Sequence, residues 1–366
     1  MSKAILYTGG LEALRAQINV AQNQKCIGLK DLPLAVRWRR CSRLGRAGIP
    51  TVGERALPAS QQIGNLDTWE VSRGALMNHL LNLLKSCFQS LRLLKVSLLI
   101  LGVQTDAAAP VGDAFVYKVI GGRQLSLYIT KPDDWRAGDS RPAIVFFHGG
   151  GWVKGKLGQF TQHSQHFADL GLVCVQVEYR LVNRKELAET PEKCVYDARS
   201  AMRWLRFRAS ELGIDPNRIA SAGGSAGGHL AAHLGMVEGM DAPTDNLAIS
   251  AKSNAMLLFN PVFDNGPNGY GYKEIGARYR EFSPFHNVSL DDPPAIVFLG
   301  DQDPLIPEQT AHEFKAKLDA VGVKCQVMIF PGMEHGFFNY SRHGGKPYRQ
   351  TIQASEQFLV DLGWLN

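Results

Sequence analysis

The stretch RIASAGGSAGGHLAAHL, residues 218–234, places Ser225 between two pairs of glycines. An apolar run precedes the glycines and a helical pattern follows them. Residues 223–227 read G-G-S-A-G, a match to the G-x-S-x-G turn that exposes a serine nucleophile between a strand and a helix. Such a turn is strained and its flanks approach closely, so that side chains at Gly223 and Gly227 would collide. The stretch therefore predicts Ser225 to be an exposed nucleophile at the start of a helix.

Strand-like apolar runs alternate with helical patterns from residue 115 onward. Two alternating runs flank Gly121 and Gly122 and predict a hairpin. The clearest helix is predicted from Pro191 to Gly213, with proline at its start and glycine at its end. Near-continuous apolar strands alternating with helices predict an α/β fold, a mostly parallel sheet with helices on both faces. Further strands are expected at 143–150, 172–180, 218–223, 255–263, 295–303 and 324–330.

A second glycine-rich loop, FFHGGGWVKG, follows the strand predicted at 143–150. Peptide N–H groups without side chains in the way suit a developing oxyanion, and the N–H of Ala226 is expected to point to the same place. His148 opens this loop and is predicted to stabilise it by hydrogen bonding rather than to act as a base. Trp152 directly follows the glycines and is predicted to line the substrate pocket, with a packing role as the alternative.

A serine nucleophile needs a base, and the base needs an acid. His335 lies in a loop after the last predicted strand, and Asp303 lies at the end of the preceding one. The order Ser225, Asp303, His335 is the order of the serine hydrolases that carry the G-x-S-x-G turn, and the carboxyl ends of parallel strands are where such sheets build sites. These three residues are predicted to form a catalytic triad, with Asp301 as the competing acid.

The remaining histidines fit this assignment less well. His286 and His343 are predicted to lie in loops with no acid motif beside them. Residues on helical patterns are interpreted as helix-face residues: His163, His166, His229, His233 and His312.

The four motifs HGGGW, GGSAGG, DPL and EHGFF together resemble the α/β-hydrolase fold, specifically the hormone-sensitive-lipase-like branch of carboxylesterases. Bacterial esterases that act on acetylated polysaccharides are also similar. The resemblance covers residues 115–366 and implies a serine carboxylesterase whose oxyanion donors are Gly150, Gly151 and Ala226. It implies a small-molecule ester substrate with a short acyl chain, acetylated carbohydrates included, and no metal or organic cofactor. An amidase or peptidase on the same fold and a non-catalytic binding protein are the alternatives.

The formal charge of +6 belongs to the N-terminal part of the chain. Residues 1–76 hold 11 Lys and Arg against 5 Asp and Glu, and the remainder is neutral. No basic patch on the catalytic domain is therefore expected, and no nucleic-acid partner is predicted. Residues 1–76 show weak periodicity and are predicted to be disordered or to precede the true start.

The segment 77–109 admits two interpretations. Basic residues, an apolar run and small residues follow one another from Met77, which is typical of a secretory signal peptide. Leu84, Phe88, Leu91 and Leu94 also lie on one face of an amphipathic helix, which would make the segment a cap over the active site. We expect an exported protein if the signal peptide is real and a cytoplasmic one otherwise. No integral membrane span is predicted.

The irregular segment 264–294 is rich in glycine and proline and is too long for a simple connection. It is predicted to cover the active site.

Overall fold

The computed structural model describes residues 109–183 and 190–365. The predicted N-terminal extension 1–76 and, apart from Ala109, the predicted signal or cap segment 77–109 lie outside the described residues. None of the helices in the described ranges is long and apolar enough to cross a membrane.

An eight-stranded sheet forms the centre of the described residues, in the spatial order β1-β2-β4-β3-β5-β6-β7-β8. The first pairings, β1 with β2 and β2 with β4, are antiparallel, and all pairings from β4 to β8 are parallel. The predicted hairpin is present, with Gly121 and Gly122 at positive φ in its turn. The strands are β1 (Asp113–Ile120), β2 (Arg123–Thr130), β3 (Arg141–Phe147), β4 (Val173–Val177), β5 (Ile214–Gly224), β6 (Ala255–Phe259), β7 (Ala295–Gly300) and β8 (Cys325–Phe330).

Helices cover both faces of the sheet. The longer ones within the described residues are α1 (Thr161–Asp169), α2 (Glu192–Phe207), α3 (Ala226–Met236), α6 (Glu308–Ala320) and α7 (Lys346–Asp361). Two single-turn helices, α4 (Tyr272–Ile275) and α5 (Tyr279–Phe282), lie in the segment 264–294. Single 3-10 turns span Leu157–Phe160, Gly276–Arg278, Pro284–His286 and Arg342–Gly345.

Alternating side chains along the buried strands build two apolar cores. On β3, Val145 packs with side chains of α2, α3 and α6, while Phe146 faces the opposite layer with α1 and α7. Both residues are at most 1% exposed. A strand buried on both faces must be apolar at every position, which is why the central strands have nearly continuous apolar sequences. The predicted α/β architecture, a mostly parallel sheet with helices on both faces, is confirmed.

Several element boundaries differ from their predictions: β3, β4, β6 and β7 end three or four residues early, and two larger differences concern a helix and β5. The helix predicted to end at Gly213 ends at Phe207, and turns occupy 208–213. β5 begins at Ile214, four residues earlier than predicted, because Ile214 pairs with Arg141 before the apolar part of the strand begins.

Candidate active site

Ser225 stands at the tight turn between β5 and α3. Its φ of 54° and ψ of −119° are a strained backbone conformation for a residue with a side chain. A Cβ at Gly223 would collide with the carbonyl of Gly227, and one at Gly227 would collide with the carbonyl oxygens of Phe147 and His148. The two glycines therefore let β5, α3 and the end of β3 approach closely enough to hold the serine in this conformation.

The structure brings Ser225, His335 and Asp303 into one hydrogen-bonded chain. His335 Nε2 lies 2.8 Å from Ser225 Oγ, and His335 Nδ1 lies 2.6 Å from Asp303 Oδ2. The Asp303 side chain is 0% exposed. Its other oxygen accepts the N–H groups of Leu305 and Ile306, so the buried carboxylate is bonded on both sides. A carboxylate at Nδ1 places the proton there and leaves Nε2 free to accept a proton from the serine.

The competing acid, Asp301, forms a hydrogen bond with the backbone rather than with His335. Its Oδ1 accepts the N–H of Gly332 at 2.7 Å, at the start of the loop that carries His335. Asp303 therefore contacts the imidazole of His335, whereas Asp301 stabilises the loop that carries His335.

The glycine loop after β3 lies against the serine turn. A Cβ at Gly149 would come 2.9 Å from the carbonyl oxygen of Gly224 and 3.3 Å from Ser225 Cβ. Gly150 has a φ of 127°, in the left-handed region that favours glycine. Within the described residues, the N–H groups of Gly150, Gly151 and Ala226 donate to no protein acceptor. Three unused peptide donors beside Ser225 are the groups an oxyanion hole needs.

His148 stabilises this loop, in the way the sequence indicated. Its Nδ1 lies 2.8 Å from the carbonyl oxygen of Gly149, and its ring stacks on Tyr179. The Tyr179 hydroxyl donates to the His148 carbonyl at 2.6 Å. Burial lowers the pKa of His148, so the ring stays neutral near pH 7.

The structure corrects the expectation that Trp152 lines the pocket. Trp152 is 4% exposed and lies in the core below the glycine loop. Its ring meets His229 edge-on at 5.2 Å and Tyr270 at 5.7 Å. A φ of 62° at Trp152 turns the side chain inward, and its neighbour Val153 lines the pocket instead. Trp152 therefore packs the glycine loop against α3 and the segment 264–294. This is the packing role that was the alternative to lining the pocket.

A pocket of about 950 Å³ opens in front of Ser225 and His335. Tyr270, from the segment 264–294, forms part of its wall. Other lining side chains are Val153, Leu305, Phe338, Gln159, Asn260, Asn339, Lys154, Lys156 and Arg342. Apolar atoms make up most of the pocket surface, and amides and cations lie among them.

A pair of amide side chains that the sequence did not reveal joins the glycine loop to the histidine loop. Gln159 Oε1 accepts the N–H of Gly149 at 2.7 Å, and Gln159 Nε2 donates to Asn339 Oδ1 at 2.9 Å. Asn339 in turn donates to the carbonyl of Gly336, the residue after His335. Gln159 and Asn339 are 180 positions apart, and no sequence motif indicates a bond between them.

Asn260 is a second residue that the sequence analysis missed. It directly follows β6, is 0% exposed and has a positive φ of 36°. Its Oδ1 accepts the N–H of Gly336 at 2.9 Å, and its Nδ2 lies 3.4 Å from His335 Nε2. Its place at the carboxyl end of a parallel strand was the available signal.

Two histidine–carboxylate pairs outside the candidate site correct the expectation that His286 and His343 lack acids. His343 Nε2 lies 3.1 Å from Glu334, and His286 Nδ1 lies 3.6 Å from Asp264. Ser283 Oγ lies 2.9 Å from the same Nδ1 of His286. In a catalytic triad the serine and the acid face different nitrogens of the imidazole. Ser283 and Asp264 face the same nitrogen of His286, so these three residues do not form a second triad.

The helix-face histidines include three that are fully buried. Burial lowers the pKa of His163 to about 3 and that of His229 to about 4, and it also lowers the pKa of His233. His229 and His233 contact the carbonyls of Phe282 and Glu281 and thereby join α3 to the segment 264–294. Within the described ranges no three His, Cys, Asp or Glu side chains are grouped as a metal site would require.

Comparison with known proteins identifies the family of the chain. Residues 127–268 match the family model BD-FAE, and residues 283–359 match that of the dienelactone hydrolase family. Thermogutta terrifontis esterase 2, in its apo form, is 38% identical with a TM-score of 0.67, over 72% of this chain and 99% of that one. The chain belongs to the α/β-hydrolase esterases. The resemblance to this family that the motifs indicated is confirmed.

Curated relatives among the α/β-hydrolase esterases are more distant. The probable carboxylic ester hydrolase LipM of Mycobacterium tuberculosis is 28% identical over 66% of this chain, and the esterase LipQ of the same organism is 26% identical over 59%. The matches cover 59% and 55% of those two proteins, so the chain spans less than two thirds of their length. Esterase 2 has also been described phosphorylated by paraoxon and with propionate or butyrate bound.

Proposed function

We propose that this protein is a carboxylesterase that hydrolyses small esters with short acyl chains. The observation that carries the proposal is the chain from Ser225 through His335 to the buried Asp303, with distances of 2.8 and 2.6 Å. Catalysis by a serine requires this connection of nucleophile, base and acid, and the pocket opens directly onto it.

In the proposed reaction, Ser225 Oγ attacks the carbonyl carbon of the ester while His335 Nε2 takes the hydroxyl proton. The peptide N–H groups of Gly150, Gly151 and Ala226 donate to the resulting oxyanion. His335 then passes its proton to the departing alcohol, and an acyl-enzyme remains on Ser225. Water attacks the acyl-enzyme with His335 again acting as base, which releases the acid and restores the serine.

Asp303 keeps the proton on His335 Nδ1 and stabilises the imidazolium that forms in each half of the reaction. Its burial and its two backbone donors hold it in place. Asn260 and the pair Gln159–Asn339 support the proposal as positioning residues, because they hold the loops on which His335 and the oxyanion donors lie.

The preference for short acyl chains is supported by a relative. Thermogutta terrifontis esterase 2 was described with propionate and with butyrate bound. Acetyl groups on a carbohydrate are one class of short ester that this pocket would admit.

Hydrolysis of p-nitrophenyl esters from acetate to palmitate, by the full chain and by Ser225→Ala, tests the proposal. We expect cleavage of acetate, propionate and butyrate that is lost in the variant, with far slower cleavage of palmitate. Glucose pentaacetate added to the series tests the carbohydrate ester. Cleavage of the corresponding anilides but of no ester would favour an amidase, and no cleavage of either by the folded protein would favour a binding protein.

A further inference from the structure

Three cationic side chains line the pocket that contains Ser225. Lys154 and Lys156 directly follow the oxyanion loop, and Arg342 follows the loop that carries His335. All three residues are exposed, and they approach the pocket from two different loops. The neutral balance of the chain beyond residue 76 gives no reason to expect cations to gather at this place.

No carboxylate among the described lining residues balances Lys154 or Arg342 inside the pocket. Among the described lining residues none is Asp or Glu. Asp303 lies behind His335, and its side chain is fully buried and already bonded. Lys154 has no carboxylate within ion-pair distance in the described part of the chain.

The nearest acid outside the pocket neutralises Arg342 only in part. Glu334 lies 3.6 Å from Arg342 and 3.1 Å from His343, and it divides its charge between the two. The Arg342 and Glu334 side chains are 52% and 41% exposed. A long ion pair between two exposed side chains contributes little to stability, so Arg342 can leave Glu334 and bind an anion in the pocket instead.

A cleft lined by one sign of charge concentrates its field on whatever occupies it. A neutral ester would gain nothing from Lys154 and Arg342, whereas an anion would be drawn in and held. Building on the proposed esterase function, we propose that the substrate carries a carboxylate besides its ester group, and that Lys154 and Arg342 bind this carboxylate. The carboxylate belongs either to the acyl part or to the alcohol part of the ester.

Two matched substrate pairs distinguish these positions. The acyl pair is p-nitrophenyl hydrogen glutarate against p-nitrophenyl pentanoate, which have similar chains with and without the charge. The alcohol pair is para-acetoxybenzoate against its methyl ester. Dividing each kcat/KM by the rate of alkaline hydrolysis removes the intrinsic reactivity of the ester.

The test variant is Lys154→Gln with Arg342→Gln, and the control is Lys315→Gln with Lys324→Gln. The control removes the same charge from α6 and from the amino end of β8, far from the carboxyl ends that carry Ser225. An exposed ion pair contributes up to ~1 kcal/mol; at ~0.7 kcal/mol each, or about threefold, two of them give a factor of about ten. In one substrate pair, we expect the anionic-to-neutral ratio of kcat/KM to fall about tenfold in the test variant and not in the control.

High salt provides a second measurement, because ~0.5 M sodium chloride should lower the same ratio for the wild type by screening. Equal ratios in wild type and test variant for both pairs, with the neutral esters still cleaved, would overturn the carboxylate inference and leave the esterase intact. No hydrolysis of any of the four esters would overturn the esterase function and the inference with it.

Discussion

Gln159 provides the sharpest test of how the glycine loop is held. Its side chain accepts from the buried Gly149 N–H at 2.7 Å and donates to Asn339 at 2.9 Å. Gln159→Leu keeps the approximate size and removes both bonds. The orphaned Gly149 donor costs ~1–3 kcal/mol, while the half-exposed Asn339 can turn to water. We expect the free energy of unfolding to fall by ~1–2 kcal/mol, because some of the cost is relieved by movement of the loop.

Movement of the glycine loop should lower kcat, because the loop carries the oxyanion donors. Loss of one oxyanion donor lowers kcat by ~10²–10³-fold, and a displaced loop should cost a part of that. We therefore expect kcat/KM of Gln159→Leu on p-nitrophenyl butyrate to fall about 10- to 100-fold, mostly through kcat.

Gln165→Leu is the matched control. Gln165 lies on the exposed side of α1, where it bonds to Asp169. The measurements are steady-state kinetics and urea unfolding of both variants. If Gln159→Leu loses stability but keeps the wild-type kcat, or behaves like Gln165→Leu in both respects, the reasoning that ties this side chain to the oxyanion loop is refuted.

Three further predictions concern the core, the serine turn and the acid. The pKa of about 3 for His163 means that the unfolded chain binds a proton below its ordinary 6.5 while the native state does not. The free energy of unfolding should therefore fall as the pH drops below 6.5, and the contribution of His163 to this loss should reach ~2 kcal/mol at about pH 5. Urea unfolding of His163→Phe should lack this contribution. An equal pH dependence in the wild type and the variant would contradict the prediction. Gly227→Ala, whose methyl group would strike Phe147 and His148, should lose ~3 kcal/mol or more in thermal unfolding, and a wild-type melting temperature would show that the turn is less crowded than described. Asp303→Asn should lower kcat by about 10⁴-fold, whereas Asp301→Asn should change it less than about tenfold; the reverse order would exchange the two acids.

The candidate triad could be predicted from the sequence because each member follows a strand of the parallel part of the sheet. Ser225, Asp303 and His335 come from β5 and from the loops after β7 and β8, and the ends of neighbouring parallel strands must meet at one edge. The crowding at Gly223 could also be inferred, because a Cβ there would meet Gly227 only a few positions away. The collision of a Cβ at Gly227 with Phe147 and His148, by contrast, depends on the end of a distant strand.

Contacts between distant loops could not be inferred in that way. The bond between Gln159 and Asn339 depends on how two loops approach in space, and amide side chains occur in many loops without such partners. Trp152 shows the same limit: one positive φ turns the residue after the glycines from the pocket into the core. Backbone conformation at a single residue decides that direction, and no periodic pattern encodes it.

The measurement that tests the central claim most directly is the reaction of the protein with paraoxon, which phosphorylates the related Thermogutta terrifontis esterase 2. Nucleophilic Ser225 should displace p-nitrophenolate and retain one diethylphosphoryl group. Mass spectrometry of the peptide containing residues 218–234 should show this adduct in proportion to the loss of esterase activity, and Ser225→Ala should show neither adduct nor activity. An adduct on a different residue, or ester hydrolysis that survives in Ser225→Ala, would contradict the account.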